Sequence, residues 1–140
     1  MAKGFRELEG ITADLGLEAW GETVQEAFMS AAEGLASLLG SIPAEKLGRT
    51  MHISVHGEDL PSLLVRFLNE MIYMEETRDL IPGKIQKLWI SGHSLFAVFK
   101  CAEGSTVDPA ERTSVKAATY HDLEINQSKR GVRIRVILDV

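Results

Sequence analysis

The sequence predicts an α+β domain in which an antiparallel sheet, or two small packed sheets, carries two main helices. Three observations give this reading. Apolar residues recur at intervals of three and four in two separate stretches, 23–39 and 59–72. Between those stretches Met51, Ile53 and Val55 alternate with His52, Ser54 and His56, the period-two pattern of a half-buried strand. From Lys84 onward the chain is almost entirely strand pattern broken by turn residues. Strands and helices that do not alternate regularly favour antiparallel pairing with the helices gathered on one face.

Taken in order, residues 5–9 alternate weakly, and Leu15-Gly16-Leu17-Glu18-Ala19-Trp20 follows the turn-like run Thr12-Ala13-Asp14-Leu15-Gly16, which predicts a short strand pair. Thr23-Val24-Gln25-Glu26 has the spacing of a capping box, in which the hydroxyl accepts from a first-turn amide and Glu26 reaches back. Val24, Ala27, Phe28, Ala31, Leu35, Leu38 and Leu39 then form one apolar stripe, and Gly40 is the expected C-terminal cap. After the 51–55 strand, Gly57 breaks the pattern and Asp59 caps a second helix with the stripe Leu60, Leu63, Leu64, Phe67, Leu68, Met71 and Ile72. Pro61 is tolerated there because the first turn needs no internal amide donor. Pro82 and Gly83 are expected to stop the chain from continuing as helix. Strands are predicted over 84–90, 95–102, 114–125 and 132–140, with a turn at Ser91-Gly92-His93-Ser94 and a short helical turn within 107–111. Without repeats, low-complexity segments or composition shifts, 1–140 reads as a single domain.

The 140-residue length is enough to bury one core, and 45% apolar with 25% charged residues fits a globular chain rather than a disordered or fibrous one. The single cysteine, Cys101, rules out an internal disulfide, and the absence of CxxC spacing makes a structural zinc site a poor fit. A reducing cytoplasm suits this composition. No run of about 18 apolar residues occurs, and residues 1–10 are too charged for a signal-peptide core, so neither membrane insertion nor secretion is expected. The net charge of −5 argues against independent nucleic-acid binding, which needs clustered cations. Lys129, Arg130, Arg133 and Arg135 come nearest to a basic patch and read as a solvated hairpin tip and strand face. RNA, if involved, is then held through a partner.

Two acidic residues stand out. Along the last strand Val132, Ile134, Val136 and Leu138 share one face, which puts Arg133, Arg135, Ile137 and Asp139 on the other. Asp139 therefore points away from the core. If Val140 ends the native chain, its α-carboxylate lies near the Asp139 side chain, and adjacent negative groups invite a hard cation with oxygen ligands. Asp14, freed by its turn, is the natural second ligand, and it equally suits the ordinary turn role of bonding its own backbone. The spacing is compatible with both.

Other chemistry has less support. His52 and His56, two repeats apart on one strand face, would be roughly 13 Å apart, too far to share a metal. His121, beside Asp122, fits an oriented acid-base group, a residue lining the cation site, or a strand histidine bonded to its neighbour. Cys101 falls in the apolar alternation Leu95, Ala97, Phe99, Cys101, which suggests an inert buried thiol. No G-x-S-x-G elbow, Walker A loop or G-x-G-x-x-G run is present. Met71 and Met74 read as core fillers rather than an adaptable contact surface.

Four runs in order resemble the archease family: Thr12-Ala13-Asp14-Leu15-Gly16; Gly57-Glu58-Asp59-Leu60 leading through Phe67-Leu68-Asn69-Glu70-Met71-Ile72-Tyr73; Val115-Lys116-Ala117-Ala118-Thr119-Tyr120-His121; and the closing Leu138-Asp139-Val140. Together they span almost the whole chain, and their order is more specific than any one of them. The resemblance implies a small α+β protein that binds a divalent cation, usually described as calcium with Mg²⁺ or Mn²⁺ as alternatives. It implies a non-catalytic accessory factor of an RtcB-type RNA ligase, which joins RNA ends carrying a cyclic or 3′-phosphate to a 5′-hydroxyl using GTP, in tRNA splicing or RNA repair. Such a factor promotes guanylylation of the ligase and its repeated turnover. Carried over by position, the metal ligands fall on Asp14 and Asp139, with Val140 giving a main-chain or terminal oxygen, and His121 as a partner or supporting residue. One departure is Ile11, which stands where the family commonly has histidine two residues before the alanine of Thr12-Ala13-Asp14. Two other function classes compete with this reading: a metal-assisted phosphoester hydrolase using Asp14, Asp139 and His121, and a general chaperone-like partner.

Overall fold

The computed structural model describes residues 2–8 and 14–140. In chain order the elements are β1 (Gly4–Leu8), β2 (Leu15–Gly21), α1 (Val24–Leu39), β3 (Arg49–His56), α2 (Leu60–Arg78), β4 (Leu80–Ser91), β5 (Ser94–Glu103), β6 (Ala117–Ser128) and β7 (Gly131–Asp139). Single turns of 3₁₀ helix occupy Ala44–Lys46, Gly104–Thr106 and Pro109–Glu111. The last of these lies in the segment expected to hold a helical turn.

The α+β class holds, with two sheets rather than one. All described pairings are antiparallel: sheet A runs β1-β2-β7-β6 and sheet B runs β3-β5-β4. Each helix touches strands of both sheets, α1 reaching β2 and β4, and α2 reaching β6 and β3. The helices thus form a middle layer, which differs from helices covering one face of one sheet. A middle helix needs apolar groups on more than one side, and α1 buries Ala27, Phe28, Ala31, Ala32, Leu35, Ala36, Leu38 and Leu39. One core follows, containing Phe28, Phe67, Phe99, Leu17, Leu64, Met71 and Ile134. It leaves the outer face of sheet B largely to solvent, whereas on the outer face of sheet A Ile137 is buried.

Local signals fix the helix starts. Thr23 accepts from the Glu26 N–H at 3.1 Å, while the Glu26 carboxylate takes the Glu22 N–H at 3.0 Å, one residue earlier than a standard box requires. Asp59 accepts from the Ser62 N–H at 2.8 Å and the Ser62 hydroxyl takes the Asp59 N–H, a reciprocal cap. The end of α2 departs from expectation. The helix stops at Asp79, whose φ of 53° is left-handed, and Pro82 and Gly83 lie inside β4. Pro82 is tolerated because β4 is an edge strand, and the register shifts between Pro82 and Lys84.

Candidate functional site

The start of β2 meets the C-terminal end of β7 in sheet A. β2 pairs with β7 in a register that sets Leu15 opposite Leu138 and Gly16 opposite Ile137. One further step of the same register would set Asp14, at the bend entering β2, across from Asp139, the last residue of β7. Residues opposed on antiparallel neighbours share a face, and Leu15 and Leu138 both belong to the core side, so Asp14 and Asp139 fall on the outer side. Asp14 is half-buried and Asp139 exposed. Residues 9–13, which include Ile11, Thr12 and Ala13, lie outside the described residues.

The far side of Asp139 is held by β6. Ala117 is its register partner there, and the Lys116 N–H donates to the Asp139 carbonyl at 2.7 Å. That bond engages the main-chain oxygen of Asp139, and its carboxylate has no partner among the described residues. Ala117 offers only a methyl beside it. Thr119 donates its hydroxyl to the Ile137 carbonyl at 2.9 Å, pinning the next residue of β7 from the same strand.

Asn69 lies within the second of the four archease-like runs. β6 is the edge of sheet A, so one side of its backbone lacks a strand partner. Asn69 of α2 supplies the missing bonds: its Oδ1 accepts from the Ala118 N–H at 2.7 Å and its Nδ2 donates to the Ala118 carbonyl at 3.2 Å. An amide presents one acceptor and donors side by side, which lets it stand in for a strand. The clamp holds β6 one residue from the partner of Asp139. Signals for this exist only in three dimensions.

His121 sits in an irregular part of β6. The register moves from Thr119 opposite Ile137 to Glu124 opposite Arg135, so Tyr120, His121, Asp122 and Leu123 all face Val136 alone. Asp122 adopts φ 50° within this bulge. The His121 Nε2 lies 3.3 Å from the Asp122 carboxylate, both side chains being exposed. No group of three or more His, Cys, Asp or Glu side chains that could hold a metal occurs among the described residues. His121 therefore does not close a three-side-chain site with Asp14 and Asp139. The donors expected from the sequence at this corner are the Asp14 and Asp139 carboxylates and a Val140 main-chain oxygen. An all-oxygen set of this kind fits a hard cation that keeps part of its water shell and fits zinc or copper poorly.

Around the corner, sheet A is ionic on its outer face. The Glu18 carboxylate accepts from Arg6 and from Arg133, each at 3.0 Å, and the Arg133 guanidinium lies 6.0 Å from the centre of the Trp20 ring. The remaining candidates fall where the bland readings put them. Met71 and Met74 are buried. Cys101 is buried, and that burial pushes its thiol pKa up, so it is no activated nucleophile. His52 projects from β3 while His56 bonds Ser94 at 3.2 Å and stands 6.0 Å from the His93 ring.

Residues 5–140 match the model of the Archease protein family (MTH1598/TM1083). Among relatives, the chain is 32% identical to protein archease of Aeropyrum pernix, covering 92% of each chain. It is likewise 32% identical to protein archease of Methanosarcina mazei, covering 92% of this chain and 91% of that one. The fold is similar to the solution structure of Methanobacterium thermoautotrophicum protein 1598, with a TM-score of 0.73, 26% identity, and 98% and 99% of the two chains covered. A crystal structure from Thermotoga maritima, described as an archease and possible chaperone, matches with a TM-score of 0.60 at 21% identity and 96% and 97% coverage, a likeness of fold.

Proposed function

The chain belongs to the archease family, and from that premise we propose that it is a non-catalytic, cation-binding activator of an RtcB-type RNA ligase in tRNA splicing or RNA repair, working in the cytoplasm. The supporting observation is the β2–β7 register, which sets Leu15 opposite Leu138 and so brings the start of β2, just after Asp14, beside the end of β7 at Asp139. Asp14 and Asp139 would hold the ion, Ca²⁺ before Mg²⁺ or Mn²⁺, with a Val140 main-chain oxygen as third ligand. Carboxylates brought together repel unless a cation neutralises them, so the bound form of the corner is the ordered one. When bound, the cation supplies positive charge where guanylylation concentrates negative charge on a triphosphate.

This chain's own residues give the corner its firmness. Lys116 and Thr119 tie β6 to the end of β7, and Asn69 ties β6 to α2, so the Asp139 carboxylate projects from a braced strand. A rigid tip can favour one arrangement of the ligase by differential binding.

The test is guanylylation of the cognate ligase with the activator limiting, with and without chelator, comparing wild type with Asp14→Ala and Asp139→Ala. Folded variants that give no stimulation, together with chelator sensitivity of the wild type, support the proposal. Full stimulation by both variants contradicts it. Phosphoester turnover by the isolated protein would instead indicate a hydrolase, and chelator-insensitive suppression of aggregation of unrelated clients a general chaperone.

A further inference from the structure

The outer face of sheet B carries a pattern that the cation corner does not use. Both helices pack on the inner side of this sheet. The registers of β3, β5 and β4 lay out four rows of three outward positions: Thr50-Lys100-Lys84, His52-Val98-Lys87, Ser54-Phe96-Trp89 and His56-Ser94-Ser91. Their inward neighbours Met51, Ile53, Phe99, Ala97, Ile85 and Leu88 are buried, which fixes the direction of each row. Gln86 is the extra residue that restores the alternation on β4.

Trp89 and Phe96 are direct cross-strand partners, stacked with centroids 5.7 Å apart and planes at 22°, yet 44% and 37% exposed. Lys87 follows in the next row, and Lys84 and Lys100 in the row after, about 7 and 14 Å along the strands. Lys100 bonds the Thr50 hydroxyl at 3.1 Å, while Lys84 and Lys87 form no ion pair among the described residues. None of these outward positions is Asp or Glu. In a chain with 20 acidic residues and a net charge of −5, this face reverses the overall balance.

We propose that the outer face of sheet B binds single-stranded RNA, with bases stacking on Trp89 and Phe96 and the backbone tracking Lys87, Lys84 and Lys100. A flat sheet bearing exposed rings and flanking cations suits unpaired bases, whose faces are free, whereas a duplex hides them. The Ser54 hydroxyl in the aromatic row can meet a ribose 2′-hydroxyl. A protein partner fits less well, because the centre of such an interface is depleted of lysine and this patch has lysines on its axis. The whole-chain charge opposes tight binding, so the contact is weak alone and gains when another protein holds the same RNA nearby. This surface is separate from the cation corner.

The experiment uses the Trp20→Phe protein, in which Trp89 is the only tryptophan, titrated with an unstructured RNA about 12 nucleotides long at low salt. Chelator is present throughout, so the outcome does not depend on cation binding or on the ligase. Saturable quenching of Trp89 is expected, weakened about 5- to 100-fold by Phe96→Ala. Binding should fall with salt at a slope of about −0.7 per phosphate contacted, and Lys87→Glu should flatten that slope by about 0.7. Trp89→Ala, followed by polarisation of labelled RNA, should show a loss comparable to that of Phe96→Ala. Circular dichroism checks that these surface variants fold. Absence of quenching, affinity indifferent to Phe96→Ala and Lys87→Glu, or equal quenching by duplex RNA or polyglutamate would overturn the assignment.

Discussion

Replacing Asn69 by alanine tests how the corner is braced. The substitution removes the 2.7 Å bond from the Ala118 N–H and the 3.2 Å bond to its carbonyl, on an edge strand where no further strand can replace them. Ala118 is buried, so its amide is left facing a space that the shortened side chain does not fill. Stranding a buried donor costs about 1–3 kcal/mol, and the lost partners lie within that range rather than adding to it. With an unfolding entropy of about 2.1 cal/mol/K per residue, a chain of this length loses about 3–10 °C in Tm. Thermal unfolding followed by circular dichroism reads the shift, and amide hydrogen exchange should show Ala118 losing protection first. Asn69→Asp keeps an acceptor for the N–H but sets a carboxylate against the carbonyl, so it recovers at most part of the loss. An Asn69→Ala protein melting within about 1 °C of wild type, with Ala118 still protected, would refute the clamp.

Three further outcomes are expected. Asp59 has its pKa held below the ordinary value, first by the backbone hydrogen bond from Ser62 and then by the Ser62 side chain, so its stabilising contribution is complete above the unfolded pKa of about 3.9 and is lost as pH falls through the lower folded value. The Tm difference between wild type and Asp59→Ala should therefore shrink on acidification below about pH 4, and a constant difference down to pH ~2 would contradict this. The Cys101 thiol, buried and shifted upward by that burial, should react with an aromatic disulfide reagent only after denaturant is added; prompt reaction of the native protein would disprove it. Gly21→Ala would set a Cβ 2.5 Å from the Glu26 Cβ and 2.7 Å from the Ala27 amide nitrogen, and should cost about 1–3 kcal/mol in denaturant melts, whereas an unchanged midpoint would show that α1 can move aside.

Much of the fold could be read from local pattern because local chemistry decides it. The stripes and caps of α1 and α2, the alternation of β3 and the inward face of β7 all arise from neighbours within a few residues. What depends on distant partners was not readable in this way. The end of α2 at Asp79 is tied to the Gly104 N–H, which donates to the Asp79 carbonyl at 2.7 Å across the chain, so Pro82 is left to join β4 instead of terminating a helix. The four-residue bulge around His121 is visible only once β7 is laid beside β6, and the role of Asn69 only once α2 lies along that edge. The middle-layer position of the helices follows from burial on several sides of α1, which a single stripe understates. At the corner, Asp14 and Asp139 stand out in the sequence because both sit where strands end. Their common register is a property of the β2–β7 pairing, and the run through Ile11, Thr12 and Ala13 falls outside the described residues.

In the proposed activator, Asp14 and Asp139, far apart in the sequence, hold one cation together. Calorimetric titration of the metal-free protein with Ca²⁺ addresses it directly, comparing wild type with Asp14→Asn and Asp139→Asn, each of which preserves side-chain size while removing charge. One saturable site in the wild type, lost in each variant alone, is the predicted result. Binding that survives in both variants, or heat absent from the wild type with Ca²⁺, Mg²⁺ and Mn²⁺ alike, would contradict the claim.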